Sequence, residues 1–174
     1  MIECTIQFIL KTMKYLLGAV SAIIIILIGV YIYSIATTKN ADDNSTISIG
    51  SSTLNLSNKG YKRLPDDTFK KTNTTELNAS NNSLEGSVQG EIRFMSNLRV
   101  LNLSNNRMTG VPAEIGQLSK LEVLDLSNNL LTGLPNELGN LQNLKTLNIS
   151  GNKYSVSDLN SIIEKLPNTV KIIK

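Results

Sequence analysis

The side chains that could do chemistry in this chain are few, and their types narrow the choice. There is no His and no Trp, and the single Cys stands at position 4. A Ser-His-Asp or Cys-His nucleophile cannot be assembled, nor a His/Cys metal site. No glycine-rich phosphate loop precedes a lysine. Two acidic pairs remain, Asp42-Asp43 and Asp66-Asp67. Neighbouring residues point apart and no third carboxylate is close in sequence, so both pairs read as solvated turns. Net charge is +3 and spread out, aromatic content is 5%, and no Lys/Arg stripe appears. Nucleic-acid binding is therefore not expected, nor catalysis, a cofactor or a small-molecule substrate. The polar residue that does recur at fixed spacing is asparagine: Asn82, Asn106, Asn129 and Asn152. A carboxamide both donates and accepts, so a row of them can satisfy backbone groups stranded in successive tight turns.

These asparagines close a repeated phrase. Leu98–Asn106 reads LRVLNLSNN, Leu121–Asn129 reads LEVLDLSNN and Leu144–Asn152 reads LKTLNISGN, at a period of 23 residues. Thr74–Asn82 (TTELNASNN) lies 24 residues upstream, and Ser51–Lys59 (SSTLNLSNK) opens the series, giving five coils. The intervening segments align too: Met108-Thr-Gly-Val-Pro112 with Leu131-Thr-Gly-Leu-Pro135, then Ile115 and Leu118 with Leu138 and Leu141. Tyr61, Leu64, Pro65 and Phe69 occupy the same segment of the first coil. The pattern L-x-x-L-x-L-x-x-N at this period resembles the leucine-rich repeat superfamily. The return segments are similar to its bacterial and plant classes of 23–24 residues. Leu84–Ile92 (LEGSVQGEI) is close to the plant-type phrase, with Gln89 where that phrase has Pro. The resemblance implies an α/β repeat solenoid. Its parallel strands line a concave face, irregular or 3-10 segments return, and a C-terminal helix caps the stack.

Elementary physics agrees with that architecture. Leu101 and Leu103 alternate with Asn102 and Ser104, so each strand sends one parity inward and the other outward. Lys59 replaces the ladder asparagine and accepts nothing, so the first coil is expected to fray. Ala79 stands where other coils place Leu. At the far end, Ser155-x-x-Asp158 opens an apolar pattern of Leu159, Ile162, Ile163 and Leu166, the mark of a capped helix. Pro167-Asn168 ends it, and Val170–Ile173 reads as a last strand. With one Cys, no disulfide cap can form within the chain.

The outward rows can be listed by register. Thr53, Glu76, Val100, Val123 and Thr146 form one. Asn55, Asn78, Asn102, Asp125 and Asn148 form the next, and Ser57, Ser80, Ser104, Ser127 and Ser150 a third. Thr75, Arg99, Glu122 and Lys145 flank them. Arg99, Glu122 and Lys145 alternate in sign from coil to coil, a pattern that supports stacking. Val100 and Val123 are the apolar departure from polar rows. Partner docking is expected on a strip centred on them, with Arg99, Glu122, Asn102 and Asp125 around it. Aromatic and Arg anchors dominate tight interfaces. These rows hold no aromatic and only Arg99, so weak or avidity-dependent protein binding is expected. The rival surface is the edge carrying Arg107, Leu130 and Lys153.

Before the repeats, Leu16–Ile35 is 20 residues without a charge. At ~1.5 Å per residue it spans ~30 Å, the hydrocarbon thickness of a bilayer. Tyr15, Tyr31 and Tyr33 flank it as interfacial residues would, and Lys11 and Lys14 precede it. The expected organisation is a cytoplasmic leader (1–14), a single-pass transmembrane helix (15–36), a polar spacer (37–50) and an extracytoplasmic repeat domain (51–174). Repeats without cysteine and a short cytoplasmic part fit a bacterial cell membrane. Ser34-Ile35-Ala36 also fits a cleavage site, leaving a secreted form as the alternative, although the apolar run exceeds the ~7–15 residues of a signal peptide's core. A structural role in a membrane assembly is the other alternative.

Overall fold

The computed structural model describes residues 52–174. The expected leader, transmembrane helix and spacer lie outside the described residues. Among the described residues no helix is long and apolar enough to cross a membrane.

Six three-residue strands form one parallel sheet: β1 (Thr53–Asn55), β2 (Glu76–Asn78), β4 (Val100–Asn102), β6 (Val123–Asp125), β7 (Thr146–Asn148) and β8 (Lys171–Ile173). Each pairs with the next coil's equivalent residue. Leu54, Leu77, Leu101, Leu124, Leu147 and Ile172 therefore stack in one inward row. From Leu77 to Leu147 that row is sealed from solvent, as are Ala79, Leu103, Leu126 and Ile149 two residues on. Two further strands, β3 (Glu85–Gly86) and β5 (Arg107–Met108), make a small second parallel sheet that the sequence did not announce.

The chain returns through four 3-10 turns, Asp66–Lys70, Gly90–Phe94, Ala113–Gln117 and Asn136–Asn140. Their apolar residues Phe69, Ile92, Ile115 and Leu138 complete the core. The last two turns pack very closely: a Cβ built on Gly116 would stand 2.2 Å from the carbonyl oxygen of Glu137. Only a residue without a side chain fits there.

At each strand's exit the paired asparagines divide the work. The first, Asn58, Asn81, Asn105 or Asn128, takes a left-handed backbone with φ between 53° and 58°. Asparagine tolerates that region better than most residues. In the last coil Gly151 takes the place, because a Cβ there would meet Asn128 Oδ1 at 2.4 Å. The second asparagine is the ladder. Asn106 donates through Nδ2 to the carbonyls of Ala79, Leu103 and Ser104, and its Oδ1 accepts from Leu84 N–H. Asn82, Asn129 and Asn152 repeat the arrangement.

This geometry corrects the reason given for fraying. The oxygen of a ladder asparagine serves the turn amides of the coil before it, while its nitrogen also donates within its own coil. The first coil's turn is held by Asn82, whose Oδ1 accepts from the N–H groups of Lys59 and Tyr61 at 3.0 and 3.1 Å. Lys59 itself is exposed and strands no turn amide. What the first coil does lack is burial, because Leu54 and Leu56 are only half-buried.

Helix α1 (Val156–Ile163) closes the far end. Ser155 caps it by accepting from Asp158 N–H, but Asp158 does not return the bond to Ser155. Its Oδ2 accepts instead from Leu134 N–H, tying the helix start to the coil beneath. Leu159 and Ile162 continue the buried row, and β8 pairs with β7.

Candidate partner-binding face

The outward rows Thr53–Glu76–Val100–Val123–Thr146 and Asn55–Asn78–Asn102–Asp125–Asn148 occupy the expected register, and β8 extends them by Lys171 and Ile173. Their roles differ from one another. Asn102 Oδ1 accepts from both the N–H (3.0 Å) and the hydroxyl (2.7 Å) of Ser104. Asp125 does the same for Ser127 at 2.9 and 2.6 Å. One oxygen thus shapes the strand's exit in every coil, and the Ser row is consumed by it. Asn102 and Asp125, expected to contact a partner, are half-buried scaffold residues first.

Val100 and Val123 lie side by side as neighbours in β4 and β6. They are half-buried, not fully exposed, and form the floor of a hollow of about 240 Å³ walled by Thr75, Glu76, Arg99 and Glu122. The hollow opens beside a larger groove of about 550 Å³ along the strand entrances, lined by Asn97, Arg99, Lys120, Glu122, Asn143 and Lys145, with Asn73 and Thr75 at one end.

The groove's centre is one carboxylate between two cations. Arg99 donates through Nε to Glu122 Oε1 at 2.6 Å and adds a second contact through Nη2. Lys145 Nζ donates to Oε2 at 2.5 Å. The Lys145 and Arg99 hydrogen bonds hold the Glu122 carboxyl below its ordinary titration range. Glu122 is mostly covered (20% of its side chain is accessible), whereas the cations are 60% and 69% accessible. The alternating charges thus bridge three successive coils, and the cations keep open faces. Beside them Lys120 Nζ donates to Asn97 Oδ1 at 2.7 Å. Asn97 and Asn143 are fixed by bonds to the carbonyls of Thr72 and Ser119.

The rival edge is also present. Arg107, Leu130 and Lys153 are all exposed, Leu130 at 55%. The sequence reading passed over Phe94, which is 52% exposed on the return side with the Arg93 guanidinium 4.6 Å above its ring. A signal was there: Phe94 ends a 3-10 turn where other coils place Lys70, Gln117 and Asn140. The acidic pair Asp66-Asp67 is solvated and paired locally with Arg63 and Lys70, as a surface turn should be.

The family model for the leucine rich repeat matches residues 96–153. Among solved structures the chain is similar to a leucine-rich repeat protein of Leptospira interrogans, with 38% identity and a TM-score of 0.59. That likeness covers 64% of this chain and 28% of the other. The leucine-rich repeat ectodomain of the receptor kinase SOBIR1 from Arabidopsis thaliana is 29% identical with a TM-score of 0.51, covering 71% of this chain and 61% of that one. The plant peptide hormone receptor RGFR1, solved in complex with RGF2, is 28% identical with a TM-score of 0.55, covering 64% and 22%. The chain thus spans less than a third of the Leptospira protein and of the hormone receptor. No curated protein sequence matches it. Repeat spacing, ladder geometry, parallel sheet and these likenesses together identify residues 52–174 as a leucine-rich repeat solenoid.

Proposed function

We propose that this protein is a membrane-anchored binding module whose repeat domain, outside the cytoplasm, recognises a protein partner on its concave face without catalysing a reaction. The single observation that carries the binding reading is the Val100–Val123 hollow opening onto the charged groove. It offers apolar area and oriented charge on one rigid sheet, in a solenoid class whose concave surface serves as a binding platform. The plant peptide hormone receptor RGFR1 was solved with RGF2, and the Arabidopsis receptor kinase HAESA with the peptide hormone IDA, which supports a polypeptide ligand. Six strands at ~4.8 Å make a strip of roughly 24 Å, room for one helix or extended segment. That is small beside a stable globular interface, so affinity is weak or drawn from avidity. The anchor reading rests on the uncharged run Leu16–Ile35 and on Lys11 and Lys14 before it.

Two experiments test the parts separately. Alkaline carbonate extraction with protease treatment of intact cells reads the anchor. Retention in the pellet with cleavable repeats agrees with it, and soluble repeats cut near Ala36 overturn it. Affinity capture from detergent extracts with full-length bait reads the binding. A partner retained by the intact protein and lost when residues 98–149 are removed agrees with it. A partner retained without those coils overturns it.

A further inference from the structure

Resting on that binding reading, we propose that the groove around Glu122 is built for an extended acidic peptide segment, held by Arg99, Lys120 and Lys145. The lining residues carry three cations against one carboxylate, a surplus of two positive charges in a groove of about 550 Å³. Glu122 marks how a carboxylate sits there, one oxygen on the Arg99 fork and the other on the Lys145 ammonium. It satisfies only part of each cation. An ammonium carries three donors and a guanidinium five. Among the described residues, Lys145 has one donor on Glu122 and Lys120 one on Asn97. The surplus is positioned, since Glu122 orients Arg99 and Lys145, and Asn97, itself tied to Thr72, orients Lys120. A preoriented cation loses less side-chain freedom when a ligand arrives.

The spacing selects an extended chain. Arg99 and Lys145 start from coils two steps apart, ~9.6 Å between backbones at the ~4.8 Å strand spacing, and their charged ends converge on the two oxygens of Glu122. A polyproline-II segment advances ~3.1 Å per residue and repeats its side-chain direction every third residue. Carboxylates three residues apart therefore match the spacing of the two coils that carry the cations, and reach inward to the faces of Arg99 and Lys145 that Glu122 leaves open. The hollow over Val100 and Val123 adjoins the same groove and takes an apolar side chain from the intervening positions. The groove lacks aromatic platforms, and a carboxylate stands at its centre, which favours a discrete acidic peptide over a polyphosphate backbone.

The test titrates full-length protein in detergent with a labelled nine-residue peptide carrying glutamate at every third position and leucine and alanine between. Binding should weaken as salt rises. It should weaken at least tenfold in Lys120→Glu/Lys145→Glu and about threefold in the milder Lys120→Gln/Lys145→Gln. It should change less than threefold in Lys59→Glu/Lys174→Glu, which alters net charge equally at exposed sites outside the groove lining. Circular dichroism establishes that each variant is folded. Equal loss in groove and control variants, no binding at millimolar peptide, or equal affinity for a single-stranded oligodeoxynucleotide of the same charge would overturn the proposal. The two readings fail separately. A captured partner lost with Val100→Glu/Val123→Lys, but no peptide binding, removes the acidic ligand and keeps the concave face. Peptide binding at the groove with partner capture lost only in Leu130→Glu does the reverse.

Discussion

Asn129 reaches back one coil to Met108: its Oδ1 accepts from the Met108 N–H at 3.0 Å while its Nδ2 donates to the carbonyls of Leu103, Leu126 and Ser127. One buried carboxamide closes four backbone groups in two coils. Leaving buried polar groups unpaired costs about 1–3 kcal/mol each, less where water enters. Asn129→Ala should therefore destabilise the repeat domain by about 3 kcal/mol in denaturant unfolding. Lys59→Asn, at the equivalent position of the first coil, should change stability by less than about 0.5 kcal/mol, as exposed substitutions do. A large gain from Lys59→Asn would show that the first turn does want its own ladder residue.

Gly116 and Gly110 separate close packing from mere glycine content. A Cβ at Gly116 collides with the backbone of Glu137, whereas one at Gly110 meets nothing within 4 Å. Gly116→Ala should cost about 2–3 kcal/mol through displaced 3-10 turns, and Gly110→Ala about 0.5 kcal/mol or less in either direction. Thermal unfolding of the two variants side by side checks the contrast, and equal melting points would contradict it.

Opening should be fastest in the first coil. Leu54 and Leu56 are half-buried there, while the strand leucines of coils three to five are sealed and α1 covers the far end with Leu159 and Ile162. Hydrogen exchange should show the amides of 54–70 exchanging well before those of 101–149. First opening at Leu159–Ile173 would place the weak end at the cap instead.

Glu122 gives a pH signature of known sign. Its carboxyl is held below the ordinary range by Lys145 and Arg99. The folded state therefore favours the charged form. That contribution is fully present above the ordinary glutamate value of about 4.3 and is lost as pH falls from there through the lowered folded value. The melting-point difference between the native chain and Glu122→Gln should be constant from pH 7 to 5 and shrink toward pH 3. A difference that grows on acidification has the wrong sign for this bridge.

Much of this was legible because the repeat phrase encodes its own geometry. The strand register, the ladder, the 3-10 returns and the Ser155-capped helix all follow from residues recurring at one period, since each coil solves the same packing problem. What escaped were relations between coils. That a ladder asparagine's oxygen serves the preceding turn, so that Lys59 strands no turn amide, depends on three-dimensional offset. Gly116 looks like any loop glycine until the next turn packs on it. At the candidate site, the Arg99–Glu122–Lys145 alternation was visible. The groove was not, because its depth comes from Asn97, Lys120 and Asn143, which precede the repeat's recognisable phrase.

The proposed binding function requires partners to dock over Val100 and Val123. Both are half-buried at the floor of the hollow, so replacing them should block docking while moving the melting point only slightly. Partner capture by Val100→Glu/Val123→Lys, beside Leu130→Glu on the rival edge, measures this directly. Capture should vanish in the valine variant and persist in Leu130→Glu, both with native circular dichroism. Capture that survives the valine changes and is lost with Leu130→Glu would move the binding surface to the edge of the solenoid and rule out docking on the concave face.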